Sequence, residues 1–130
     1  MFRRRTVEEV PADLVRLDAE VLNLVGLTRR AGRAVIGTKA VREAARRESL
    51  SLALVARDAG DNARSRVVPV FEATGTPWLL CGSHEALGRA IGRDRVVVIG
   101  IEDARLAKRM RQILACEAAM DIAPGGRQEQ

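Results

Sequence analysis

Leu14, Leu17, Val21, Leu24 and Val25 recur at helical spacing, and Arg16, Asp18, Glu20 and Asn23 fall opposite them. That rhythm predicts an amphipathic helix. Pro11 suits its first position, where a missing N–H costs nothing, and Gly32, after Arg29 and Arg30, suits its C-terminal stop. A short apolar piece, Ala34-Val35-Ile36, reads as a strand and leads to Gly37. Thr38 then caps a second helix running to about Arg47. Val41, Ala44 and Ala45 form its inner face, while Lys39, Arg42 and Arg46 make a basic ridge on the other side, with Glu43 among them.

The apolar run at residues 50–58 has strand length and reads as a strand buried on both faces. Asp61-Asn62 cap a third helix through Phe71, which Pro69 should kink or deprive of one hydrogen bond. Residues 76–81 form a second buried strand, and Gly82-Ser83 open a short helix from His84 to about Ile91. Residues 95–101 form the last strand. Glu102-Asp103 begin a final helix to about Ala119, with Leu106, Met110, Ile113 and Leu114 inside. Strands alternating with helices predict one small α/β domain, helices covering both faces of a short, mainly parallel or mixed sheet. The expected division is a flexible lead at 1–10, a single domain at 11–119 and a disordered tail at 120–130.

Composition narrows the function classes. At 130 residues the chain has room for one core. It holds no apolar run long enough for a membrane span, and Met1-Phe2-Arg3-Arg4-Arg5 leads into Val7-Glu8-Glu9, so no secretory signal is expected. Two cysteines, Cys81 and Cys116, and one histidine, His84, exclude the usual four-ligand Cys/His metal site. No cofactor or metal is expected, and a reducing cytoplasm is the expected setting.

The net charge is +5, with 22 basic residues of which only Lys39 and Lys108 are lysines. Arginine's planar fork suits phosphate. Phe2, Phe71 and Trp78 are the only aromatic residues. A nucleic-acid partner would therefore be held by charge, backbone amides and shape, since base stacking needs several aromatics on one face.

"GRAVIGTK", residues 32–39, has the two glycines of a P-loop, but Thr38 precedes Lys39 where the P-loop has the lysine first. Exchanging the two turns each side chain about 100° away from its required direction. The chain also enters Gly32 from a helix, whereas a P-loop is entered from a strand. The nucleotide reading fails, and Asp58 at a strand end is ordinary turn chemistry.

Parallel strands would bring two helix starts, Gly37-Thr38-Lys39 and Gly82-Ser83-His84, to one sheet edge, where ligands of open α/β sheets bind. Arg33, Lys39, Arg42 and Arg46 add charge beside the first. Separate bland accounts exist for each: tight turns, helix caps and a solvated face.

With these residues in view, the chain resembles the L-seven-Ae/L-thirty-e ribosomal protein family, in its bacterial YlxQ-like branch. The matching stretches are residues 23–41, 52–92 and 95–101. They carry, in order, Gly37 at a helix start, the strand ending in Asp58, the proline-interrupted helix, Thr76-Pro77, Ser83 and Leu87-Gly88-x-Ala90. The resemblance implies a three-layer α/β/α sandwich with a small mixed sheet, and a non-enzymatic role binding structured RNA such as ribosomal RNA or a kink-turn. The implied RNA-binding residues are Arg33, Gly37, Thr38, Lys39, Arg42 and Arg46 around the first loop, and Leu80, Cys81, Gly82, Ser83 and His84 in the second.

Kink-turn binders of this family carry Asn-Glu after the Gly-x pair and a Lys three positions beyond the Glu. Here those places hold Lys39, Ala40 and Glu43, so the resemblance implies contacts to backbone more than to bases. A monomer is expected, with no membrane and no small-molecule substrate. Two other classes stay open at this point: a protein-interaction subunit whose RNA face has decayed, and a thiol enzyme pairing Cys81 with His84. A thiolate at a helix start is chemically sensible, but the sequence offers no third residue to orient the histidine.

Overall fold

The structure, a computed structural model, describes residues 12–121. The lead at 1–10, with Arg3 to Arg5, and nearly all of the tail lie outside the described residues. Five helices and four strands follow in the order α1 (Ala12–Arg30), β1 (Ala34–Ile36), α2 (Thr38–Arg46), β2 (Leu52–Val55), α3 (Asp61–Thr74), β3 (Trp78–Leu80), α4 (His84–Ala90), β4 (Val98–Ile101) and α5 (Ala104–Asp121).

Residues Val21, Val25 and Thr28 of α1 are fully buried, and Asp18 joins their stripe at 5% exposure. Asp18 therefore belongs to the inner face and not, as the polar pattern predicts, to the outer one. Hydrogen bonds from Gly32 N–H to the Arg29 carbonyl and from Arg33 N–H to the Thr28 carbonyl, both 2.9 Å, end the helix where Gly32 was expected to stop it. Helix α3 runs past Pro69 to Thr74, three residues beyond the expected Phe71. The proline leaves the Ser65 carbonyl without its helical donor, and both residues lie on an exposed face where solvent can reach that carbonyl. Gly60, not Asp61 or Asn62, occupies the N-cap of this helix.

The sheet order is β1-β4-β2-β3. Strand β4 runs antiparallel to both β1 and β2, and β2 runs parallel to β3. The sheet is thus mixed, and β1, β2 and β3 all point the same way. The central strands β2 and β4 are buried at every position, as continuous apolar runs require. Each is shorter than its apolar run because regular pairing stops where the chain turns toward the loops. Helix α2 packs on α3, and α1 packs on α5 and α4, with the sheet between the two groups. Phe71, Leu52, Leu54, Ile99, Ile101 and Met110 are the large side chains that fill the core.

Candidate functional site

The common direction of β1, β2 and β3 brings their C-terminal ends to one rim. A single row of backbone pairing crosses the sheet there. Gly37 N–H donates to the Val98 carbonyl at 3.2 Å, Val98 is in register with Val55, and Val55 with Leu80. The first loop starts from one end of this row and the second from the other. Three strand spacings, about 14 Å, separate them.

In the first loop Gly37 adopts φ 98°, ψ 156°, a conformation open to glycine and strained for other residues. Gly37 is itself the N-cap of α2, and no side chain caps the helix. Thr38 is therefore the first helical residue and not the cap. A hydroxyl caps only from the position before the helix, and glycine holds that place. The first turn of α2 also carries no acidic residue, so neither a capping side chain nor a carboxylate of that turn offsets its positive end. Lys39 is exposed and Arg42 half-buried, one turn apart on the same face. The Nε of Arg42 is buried without a hydrogen-bond partner. Arg46 is exposed in the last turn, about 10 Å along the axis from Lys39.

Arg33 does not join them. It precedes β1, whereas Gly37 follows it, so the strand puts Arg33 at the opposite rim, about 13 Å away. There its guanidinium donates to the Glu102 carbonyl at 3.2 Å. The proximity of residues 33 and 37 in sequence is misleading because extended backbone separates them end to end.

Two carboxylates hold the second loop. Asp18 of α1 receives Arg57 at 2.8 and 3.0 Å, and its Oδ2 also accepts the Gly82 N–H at 2.8 Å. Gly82 has φ 68°, and its carbonyl accepts the Arg57 N–H at 2.7 Å. Asp58 accepts the His84 backbone N–H at 2.9 Å and lies 2.6 Å from the ring Nδ1. Ser83 caps α4, its Oγ accepting the Ala86 N–H at 3.0 Å. Leu80, Gly82, Ser83 and His84 are all partly exposed.

Cys81 is different. Its side chain is fully buried, with Sγ 3.9 Å from the Asp18 carbonyl. The thiol forms the floor of the loop and offers nothing to a ligand on the rim. The thiol-enzyme pairing loses its geometry for the same reason, although Asp58 supplies the orienting group for His84 that the sequence did not reveal. Sequence reasoning also missed Asp18 and Arg57 as loop-holding residues. The available signal was the position of Asp18, three residues before Val21 and seven before Val25 on the buried stripe.

The strand order, the flanking helices and the paired loops define an α/β/α sandwich of the L-seven-Ae/L-thirty-e type. The chain is 30% identical over 91 residues to the RNA-binding protein YlxQ of Bacillus subtilis, a match covering 70% of this chain and 91% of that protein. It is 28% identical over 95 residues to the protein of the same name from Enterococcus faecium, covering 73% and 91%. Among solved structures, a Bacillus halodurans protein of unknown function superposes with a TM-score of 0.70 at 29% identity, covering 75% of this chain and 98% of that one. The Giardia lamblia 15.5kD RNA binding protein superposes at 0.66 with 23% identity, covering 85% and 99%, a likeness of fold. No family model matches the chain. The chain belongs to the YlxQ family.

Proposed function

We propose that this protein binds structured RNA without catalysing a reaction, seating a bent phosphate backbone on the rim between Gly37 and Leu80. The observation that carries this reading is the row Gly37-Val98-Val55-Leu80, which puts the uncapped, carboxylate-free start of α2 and the second loop on one edge. Lys39 and Arg42 supply full positive charge next to that helix start, and Arg46 extends it. The half-buried Leu80 gives the second loop an apolar surface beside the exposed part of His84. Cys81 and Arg33 have no place in this contact. Curated relatives named as RNA-binding proteins support the same partner class.

Ala40 and Glu43 stand where base-reading and backbone-binding groups stand in kink-turn binders, so affinity comes mainly from phosphate contacts and shape. One copy of the chain carries both loops, and a monomer suffices. Ultraviolet crosslinking in cells followed by sequencing tests the reading. Reads concentrated on ribosomal RNA or on another sharply bent duplex are expected. Crosslinking no stronger than that of a Lys39→Ala/Arg42→Ala variant, with protein partners retained after nuclease treatment, would favour an interaction subunit instead.

A further inference from the structure

Asp58 grips His84 at two points, and the chemistry of those points is unequal. The backbone N–H of His84 can only donate, and Oδ1 of Asp58 accepts it at 2.9 Å. The other oxygen, Oδ2, lies 2.6 Å from Nδ1. A carboxylate only accepts, so the proton of this second bond sits on Nδ1. In the neutral imidazole that leaves Nε2 with a lone pair and no proton. Nε2 has no partner among the described residues and is not among the buried unpaired atoms, so it is open to solvent at the start of α4.

We propose that Asp58 is a positioning residue that makes His84 a hydrogen-bond acceptor on the second loop, where Nε2 reads one donor group of the bound RNA. This rests on the RNA reading above and deepens it. Phosphate offers only acceptors and would repel the lone pair, so the group read is a ribose 2′-hydroxyl or an N–H donor of a base. His84 thus adds a hydrogen-bond acceptor to an interface whose charged side chains, Lys39, Arg42 and Arg46, are all cations. The 2′-hydroxyl alternative would separate RNA from DNA.

His84 is the only histidine in the chain, so nitrogen-15 NMR of histidine-labelled protein shows a single ring. A pyrrole-type Nδ1 and a pyridine-type Nε2 are expected in the neutral form. In Asp58→Asn the side-chain carbonyl must serve the backbone N–H, which turns the amide NH₂ toward Nδ1 and reverses the tautomer. A short duplex with tandem G·A pairs beside an extruded nucleotide, carrying random 2′-deoxy, deaminated or ring-N-methylated substitutions, then reports the contact. For the wild-type protein one position should cost about three- to ten-fold in affinity, the effect of one neutral hydrogen bond. Whether sugar or base substitution produces it identifies the donor. Asp58→Asn and His84→Ala, the latter leaving Asp58 intact, should both lose that sensitivity.

A pyridine-type Nδ1 in the wild-type protein, an imidazole protonated at both nitrogens in the complex, or interference unchanged in both variants would overturn the inference alone. A wild-type protein that binds none of the RNA would overturn the RNA reading and this inference with it.

Discussion

Asp18 and Arg57, 39 residues apart in the chain, meet in a two-point ion pair at 2.8 and 3.0 Å, and the same carboxylate holds the amide of Gly82. One side chain of α1 thereby ties the end of β2 to the loop after β3. The Asp18 and Arg57 side chains are only 8% and 17% exposed, so water cannot replace the contact cheaply.

Asp18→Ala should therefore lower folding stability by about 3 kcal/mol, the range found when one member of a buried pair is removed. Urea denaturation checks it. Asp18→Leu combined with Arg57→Met should recover part of the loss, because no uncompensated charge stays buried. A loss below about 0.5 kcal/mol for Asp18→Ala, the scale of a surface pair, would show that the contact is not maintained in solution.

The burial of Cys81 predicts an inert thiol. Maleimide labelling at neutral pH, followed by mass analysis of the Cys81 peptide, should run roughly a hundred-fold slower on the native protein than in urea. Equal rates would restore the thiol as a surface group and reopen the pairing with His84.

Glu48 follows α2 with φ 57°, the one described non-glycine residue with positive φ. Its N–H donates to the Ala45 carbonyl and that of Ser49 to the Ala44 carbonyl, the arrangement glycine usually fills after a helix. Glu48→Gly should stabilise the protein by about 0.5–1 kcal/mol, since relief of left-handed strain outweighs the added freedom of the unfolded chain. Thermal unfolding should shift upward by a few degrees. A downward shift would mean that the glutamate makes a compensating contact in solution.

Local patterning made the helices and central strands legible. Val41, Ala44 and Ala45 against Lys39, Arg42 and Arg46 is a pattern that only a helix sorts into two faces, and the structure buries the first set. The antiparallel insertion of β4 between β1 and β2 was not legible, because strand order depends on partners distant in sequence. Asp18 was misread because its charge suggested solvent, while its position on the helix and its partner Arg57 place it inside. Arg33 was grouped with Lys39 by closeness along the chain, which a strand converts into separation. Thr38 reads as a cap because hydroxyls prefer that role, yet the glycine before it already holds the position.

The proposed phosphate contacts lie on the rim at the start of α2, and the salt dependence of RNA affinity tests them most directly. Binding of a bent RNA duplex by Lys39→Ala, Arg42→Ala and Arg33→Ala is compared across salt concentrations. Lys39→Ala and Arg42→Ala should weaken binding for every sequence tried and each reduce the slope of log K against log salt by roughly 1, while Arg33→Ala, on the opposite rim, leaves it unchanged. Slopes unaltered by the two α2 variants, or reduced by Arg33→Ala alone, would place the polyanion elsewhere and contradict the account.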